Sequence, residues 1–194
     1  VEVKSEGNSY WVGTSLAEKF AESCGLENHE LGRELPGESL VGWVSRHPFI
    51  DRDSPVVAAD YVTMDAGTGC VHTAPGHGLD DYLTGLANGM DIYCPLDDAG
   101  RYLDDGQVPA SLVGLSVLEK KKGCEANEGV LALLRDNHAL LHLEHHSHQY
   151  PHCWRSKTPV VFRAMDQWFV SLDKDEIRNA GLGSLDKVAF TPEW

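Results

Sequence analysis

Apolar and polar positions alternate through the first thirteen residues. Val1 and Val3 flank Glu2, and Tyr10-Trp11-Val12 follow a polar turn at Gly7-Asn8. A period of two predicts a β-hairpin. Ser15, with Glu18 three positions later, is a capping-box pattern; it predicts a helix over residues 16–24, closed by Gly25. From residue 29 to 62 short strand-like runs are broken by Pro36-Gly37, His47-Pro48 and Ser54-Pro55, which suit edges and turns. Within that stretch Val56-Val57-Ala58-Ala59 and Tyr61-Val62-Thr63-Met64 read best as buried strands. A helix is expected over 79–87 with a stop at Asn88-Gly89, then a turn at Asp97-Asp98-Ala99-Gly100 between strand-like Ile92-Tyr93-Cys94 and Arg101-Tyr102-Leu103. Another helix over 126–137 gathers Val130, Leu131, Leu133 and Leu134 on one stripe, and a strand follows over 140–143. Residues 159–170 read as strand-rich and 173–180 as a short helix. Many short strands, with a few helices out of strict alternation, predict an α+β fold with a mainly β core and a C-terminal extension.

Composition narrows the class. The 194 residues suffice for one core or one domain plus an appendage, and 42% hydrophobic with 24% charged residues is ordinary for a globular chain. No apolar run approaches the roughly 18 residues a membrane span needs, so no membrane partner is expected. The first residues carry no signal-peptide pattern and begin with Val1, which reads as a piece of a longer protein. Five cysteines (Cys24, Cys70, Cys94, Cys124, Cys153) are odd in number and form no C-x-x-C pair, which argues for reduced thiols and a cytoplasmic setting. The net charge of −14 argues against a general nucleic-acid-binding module. Contact with nucleic acid would have to be local, through Lys120-Lys121-Lys122 or Arg155, Lys157 and Arg163, and the plain reading of both patches is solvated surface. The histidines His142, His145, His146, His148 and His152 beside Cys153 invite a zinc reading. Strand alternation would point neighbours to opposite faces and no second Cys pair closes a site, so no metal is expected.

The densest chemistry lies in residues 67–82: Gly67-Thr68-Gly69-Cys70-Val71-His72-Thr73-Ala74-Pro75-Gly76-His77-Gly78-Leu79-Asp80-Asp81-Tyr82. A strand ending at Val71 would present His72, and the next helix would open with Asp80 and Asp81. An imidazole and a carboxylate would then meet at the mouth of one pocket, fit for a ligand carrying an amine or an ester. The plainer readings are a core histidine and aspartates that cap the helix; His77 reads as loop structure.

This stretch resembles the signature of the editing domain of class I aminoacyl-tRNA synthetases for branched aliphatic amino acids, and the histidine after Gly-Thr-Gly-x-Val resembles the isoleucyl form. A second block, Tyr150-Pro151-His152-Cys153-Trp154-Arg155 with Pro159-Val160-Val161-Phe162-Arg163-Ala164 and Gln167-Trp168-Phe169-Val170, resembles the segment by which that editing domain returns to the catalytic core. The resemblance covers roughly residues 41–194. It implies a mainly β, barrel-like editing domain with peripheral helices over 1–148, and a linker over 149–194.

The implied activity is hydrolysis of valyl-tRNA(Ile). Valine is isoleucine less one methylene, a difference worth only ~1–3 kcal/mol to a pocket, the established figure for this very discrimination and not one obtained from this chain. Asp81 matches the carboxylate that takes the substrate ammonium through a charge-assisted hydrogen bond, and a helix N-terminus suits its negative charge. His72 matches the histidine that lines the pocket and size-selects. Gly67, Thr68, Gly69 and Thr73 match the substrate-binding stretch, the glycines allowing close backbone approach. A held water, assisted by the terminal ribose hydroxyl, would attack without a covalent protein nucleophile. Asp80 is expected to cap the helix.

Relatives of this kind that hold zinc carry a second cysteine three residues after the position of Cys153, where this chain has Ser156. The resemblance further implies the 3′ end of tRNA(Ile) carrying valine and the rest of the synthetase in cis as partners. ATP and magnesium would belong to the parent's catalytic core, and no cofactor to this part. The family's threonine-rich strand is missing: Thr63, Thr68, Thr73 and Thr84 are isolated. The chain is therefore expected to start after that strand and to hydrolyse poorly by itself. The rival readings are a valyl-type domain that removes threonine, a free-standing editing hydrolase, and a non-catalytic tRNA-binding or structural module.

Overall fold

The computed structural model describes residues 1–65, 67–118, 123–145, 147 and 149–191. Backbone contacts divide the chain into two units, Val1–Ala164 and Met165–Trp194.

The first unit opens with the expected hairpin. β1 (Glu2–Ser5) and β2 (Asn8–Trp11) pair antiparallel with Glu2 opposite Trp11 and Ser5 opposite Asn8. The turn therefore sits at Glu6-Gly7, one residue earlier than expected. Both residues have positive φ, +50° and +81°, as a two-residue turn that matches strand twist requires. β3 (Glu30–Leu31) adds to the other edge of β1, giving the order β2-β1-β3. With a neighbour on each side, β1 is central, and Val3 is fully buried among Val1, Val12 and Ala17, with Tyr10, Phe20 and Leu26 packed around them. Glu2 is also buried, and two cations meet its carboxylate: Arg33 at 3.3 Å and Lys4 at 3.7 Å.

A 3-10 turn, Thr14–Leu16, leads into α1 (Ala17–Ser23). The expected capping box does not form: neither helix start has a side-chain cap, and Glu18 reaches His29 Nε2 at 3.2 Å instead. The stop at Gly25 forms as expected. Gly25 has φ +66°, the Leu26 N–H reaches the Ala21 carbonyl at 2.9 Å, and the Gly25 N–H reaches that of Glu22 at 3.1 Å.

β4 (Val44–Arg46) and β5 (Asp53–Pro55) form a second, two-stranded sheet. The runs 56–59 and 61–64 are not buried strands. Pairing continues one residue, Val56 with Trp43 and Gly42, and then the chain turns back, Val62 N–H to Ala59 carbonyl. Among the described residues no further strand covers these runs, so their apolar character finds no ladder. The same holds later. Residues 92–94 form no strand, and 101–103 are reduced to single bridges, Tyr102 with Leu96 and Arg101 with Ser116. Residues 140–143 form no strand, and 159–170 contribute one bridge, His152 with Pro159. The helices follow expectation more closely: α2 (Leu79–Ala87) ends at Gly89 (φ +64°), and α3 (Glu125–Asp136) half-buries Val130, Leu131, Leu133 and Leu134.

The fold is α+β. Its described sheets are small and open and do not close a barrel. In the second unit a 3-10 turn, Lys174–Glu176, precedes α4 (Ile177–Leu185), later than the expected 173–180. Its described residues are all exposed, including Trp168 and Phe169. Among the described residues no helix is long and apolar enough to cross a membrane.

Candidate functional site on the 67–82 loop

The glycines of the motif make a loop, not the end of a strand. Gly67 and Gly69 both have φ +73°, a region costly to residues with a Cβ. Between them Thr68 closes a local turn: its Oγ1 accepts the Cys70 N–H at 3.2 Å and donates to the Cys70 carbonyl at 3.1 Å. The Thr68 carbonyl then takes the Gly13 N–H at 2.7 Å, docking the loop on the N-terminal sheet's exit. A Cβ on Gly69 would stand 3.1 Å from Met64 Sδ and 3.3 Å from the Gly13 backbone. A local hydroxyl bond thus replaces the ladder expected at Val71, which is exposed.

Downstream the loop is held from two sides. Thr73 Oγ1 lies 3.3 Å from the Tyr61 hydroxyl, which also accepts from Thr84 Oγ1 on α2 at 3.4 Å. Ala74 donates its N–H to Asp81 Oδ2 at 3.1 Å. Asp81 is therefore not a cap. The residue before α2 is Gly78, with no side-chain cap bond, and Asp81 reaches back from the first turn to the loop. Asp80 is exposed and caps nothing, a correction to its expected role. His72, exposed, immediately precedes the stretch pinned by Tyr61 and Asp81. Asp81 is thus brought back to the backbone next to Thr73, His72 acts on His47, and Gly67, Thr68 and Gly69 form an upstream turn against Gly13.

Sequence reasoning gave no role to four residues that hold this arrangement. Tyr61 joins Thr73 to α2. Gly76 is buried with its backbone against Tyr93 and Cys94, and its carbonyl takes the Ala164 N–H at 2.7 Å. Gly85 lets α2 pack on Pro75: a Cβ there would lie 2.8 Å from the proline ring. The Pro75-Gly76 pair and a glycine inside a helix were the available signals. The fourth, His47, accepts the Phe49 and Ile50 N–H groups on Nδ1 at 3.3 and 3.1 Å. Burial pushes its pKa down, and the charges of Arg52 and His72 push the same way. His77 is tied to the Phe162 carbonyl at 3.0 Å, a structural bond, as its loop reading implied.

Concavities of about 460 Å³, beside Phe49, Arg52, Tyr93 and Gln107, and about 380 Å³, beside Lys4, Asn8 and Glu30, include neither His72 nor Asp81. Neither hollow is the pocket mouth expected at the motif. Among the described residues no three His, Cys, Asp or Glu side chains come together to hold a metal ion. His146, His148 and the Lys120-Lys121-Lys122 run lie outside the described residues.

No protein-family model matches the chain. Relatives do. The chain is 47% identical over 193 residues to "Isoleucine--tRNA ligase" of Nitratidesulfovibrio vulgaris (strain Miyazaki F), 41% over 197 residues to that of Persephonella marina, and 40% over 189 residues to that of Petrotoga mobilis. These alignments cover 97–99% of this chain and 20% of each relative. The chain corresponds along its whole length to a segment of isoleucyl-tRNA synthetases and spans about a fifth of the length of the curated relatives it matches.

Proposed function

We propose that this chain is the editing part of an isoleucyl-tRNA synthetase and acts on the ester of valyl-tRNA(Ile). The bond between Asp81 and Ala74 carries the reading. It fixes the carboxylate through Oδ2 on the backbone next to Thr73, while the described residues give Oδ1 no hydrogen-bond partner. A fixed carboxylate with one oxygen open suits a substrate ammonium group, a charge-assisted bond. His72 lines and size-selects the aminoacyl side. Gly67, Thr68, Gly69 and Thr73 shape the backbone against the terminal adenosine. A water, oriented with help from the ribose hydroxyl, attacks the ester carbonyl.

The rest of the reading follows from the parent protein. The small sheets belong to a barrel-like editing domain over 1–148, and 149–194 returns toward the catalytic core, where ATP and magnesium act; this part itself takes no cofactor. The tRNA end and the remainder of the synthetase in cis are the partners, in the cytoplasm. The exposed Phe169, Val170 and Leu182 support a covered surface in the longer protein. Among the described residues Thr73 and Thr84 meet through Tyr61 and not directly, and weak hydrolysis by the chain alone is expected.

Deacylation of valyl-, threonyl- and isoleucyl-tRNA by the parent enzyme tests the reading. Asp81→Ala is expected to slow valyl ester hydrolysis at least ~10-fold, the scale of a lost hydrogen bond to a charged group, with isoleucyl-tRNA spared by both enzymes. Equal rates for wild type and variant remove Asp81 from the site. Preferential removal of threonine points to the valyl-type domain.

A further inference from the structure

We infer that the loop 153–158 is a docking platform for single-stranded RNA, on which Trp154 stacks a base while Arg155 and Lys157 take the flanking phosphates. The loop is built from within. The Cys153 N–H reaches the Thr158 carbonyl and the Lys157 N–H reaches the Cys153 carbonyl, both at 2.8 Å. Ser156 and Thr158 hydroxyls meet at 2.7 Å, and the neck is closed by the bridge of His152 with Pro159 and by the Tyr150 hydroxyl on the Val160 carbonyl at 3.0 Å. The half-buried Cys153 and Pro159 face inward, leaving Trp154, Arg155 and Lys157 outside.

Folding does not account for that exterior. Trp154 is 75% exposed, with the Arg155 guanidinium 4.8 Å above its ring. The large aromatic stands in water on a fixed tip, and its one ring contact among the described residues is that cation–π pair, a modest stabilisation at an exposed site. Charge selects the partner. Residues 145–165 contain no Asp or Glu in a chain of net charge −14. Arg163 is engaged by Asp98 at 3.0 Å, whereas neither Arg155 nor Lys157 meets a carboxylate among the described residues. Two cations beside an exposed indole, one of them on its face, in a run of residues without an acid, form the stacking and electrostatic combination that binds single strands. The inference rests on the reading that the chain acts on tRNA, whose 3′ end is the available single strand.

The test uses the 194-residue chain, a fluorescein-labelled unacylated tRNA transcript and an unstructured labelled oligoribonucleotide, with anisotropy read across a salt series. Both RNAs are expected to bind at low salt. Trp154→Ala weakens binding about fivefold or more, the low end of a lost base stack, and Trp154→Phe retains most of it. Replacing Arg155 and Lys157 together by Ala flattens the slope of log affinity against log salt by about 1.4, or ~0.7 per phosphate contact. Absence of binding, wild-type affinity in Trp154→Ala, or an unchanged slope overturns the inference. The outcomes separate from those of the editing reading: a chain that binds RNA through Trp154 in a parent that deacylates nothing sinks that reading alone, and Asp81-dependent deacylation with RNA binding indifferent to Trp154 sinks this one alone.

Discussion

The N-terminal sheet with α1 and the loop at 67–82 are held together by opposite means. Around Val3 the order comes from side chains: Val1, Val12, Leu16 and Ala17 bury their surfaces on a sheet whose two edges of β1 are both paired. In the loop it comes from backbone groups and small residues. Thr68 docks by its carbonyl, Ala74 by its N–H, and Gly76 by lying where no Cβ fits. The first is a surface-area effect and tolerates adjustment. The second depends on individual atoms, which is what a site must do to hold a carboxylate in place.

Two substitutions break the comparison most sharply. Gly76→Ala would put a Cβ 2.8 Å from the Tyr93 carbonyl carbon, with its oxygen nearer still, and 3.1 Å from Cys94 Cα. These are backbone atoms and cannot rotate away. A loss of about 3 kcal/mol is expected, the upper part of the overpacking range, and with it the geometry between Asp81 and Ala74. Val3→Ala removes two methyl groups from a site with no exposure and should cost about 2 kcal/mol, leaving the loop and any deacylation by the parent unchanged. Urea denaturation reads both. A larger loss for Val3→Ala than for Gly76→Ala would reverse the contrast.

The same difference explains what was legible in the sequence. Helices that announce themselves by period and by a stopping glycine appeared nearly as expected, Leu79–Ala87 among them. The hairpin appeared with its turn one residue early, because pairing and the positive φ of Glu6 decide register, not the Gly-Asn pair alone. The runs 56–59, 61–64 and 140–143 have strand-like composition, but a strand needs a partner that composition cannot supply. In the candidate site, His72, Thr73 and Asp81 stood out from the motif, and their roles belong to the proposed reading. The bond from Asp81 to Ala74, the bridging Tyr61 and the close approach at Gly76 were not legible, since each depends on how the loop folds back. Asp80 read as a cap, as did Asp81 in its plainer reading, because the pattern was local, whereas Asp81's partner lies outside the helix.

An acid titration sharpens the first half of the comparison. Burial pushes the Glu2 carboxyl up, but bonds with Ser9 and Arg33 and the charge of Lys4 outweigh it, and its pKa lies below the ordinary 4.5. A carboxyl depressed on folding contributes stability above its unfolded pKa and loses it as pH falls through the folded value. Thermal stability should therefore drop as pH falls below 4.5, and Glu2→Gln should flatten the drop. It should not abolish it, because Asp105, held down by the Tyr93 hydroxyl at 2.6 Å and the Gln107 N–H, titrates in the same direction. An identical profile for Glu2→Gln would mean that the buried carboxyl adds nothing to the sheet.

The smallest expected effect is the most diagnostic of local against tertiary control. A working capping box at Ser15 would cost about 1 kcal/mol when the hydroxyl is removed. In the structure Ser15 is exposed within Thr14–Leu16, no side chain caps either helix start, and Glu18 is turned to His29. What aligns α1 is the burial of Leu16, Ala17 and Ala21 at its base, closed at the far end by Gly25. Ser15→Ala should thus shift the urea midpoint by no more than a surface change does, within about 0.5 kcal/mol. A full 1 kcal/mol loss would show that the pattern Ser-x-x-Glu stabilises α1 after all, and that the N-terminal region, like the loop, leans on single polar atoms.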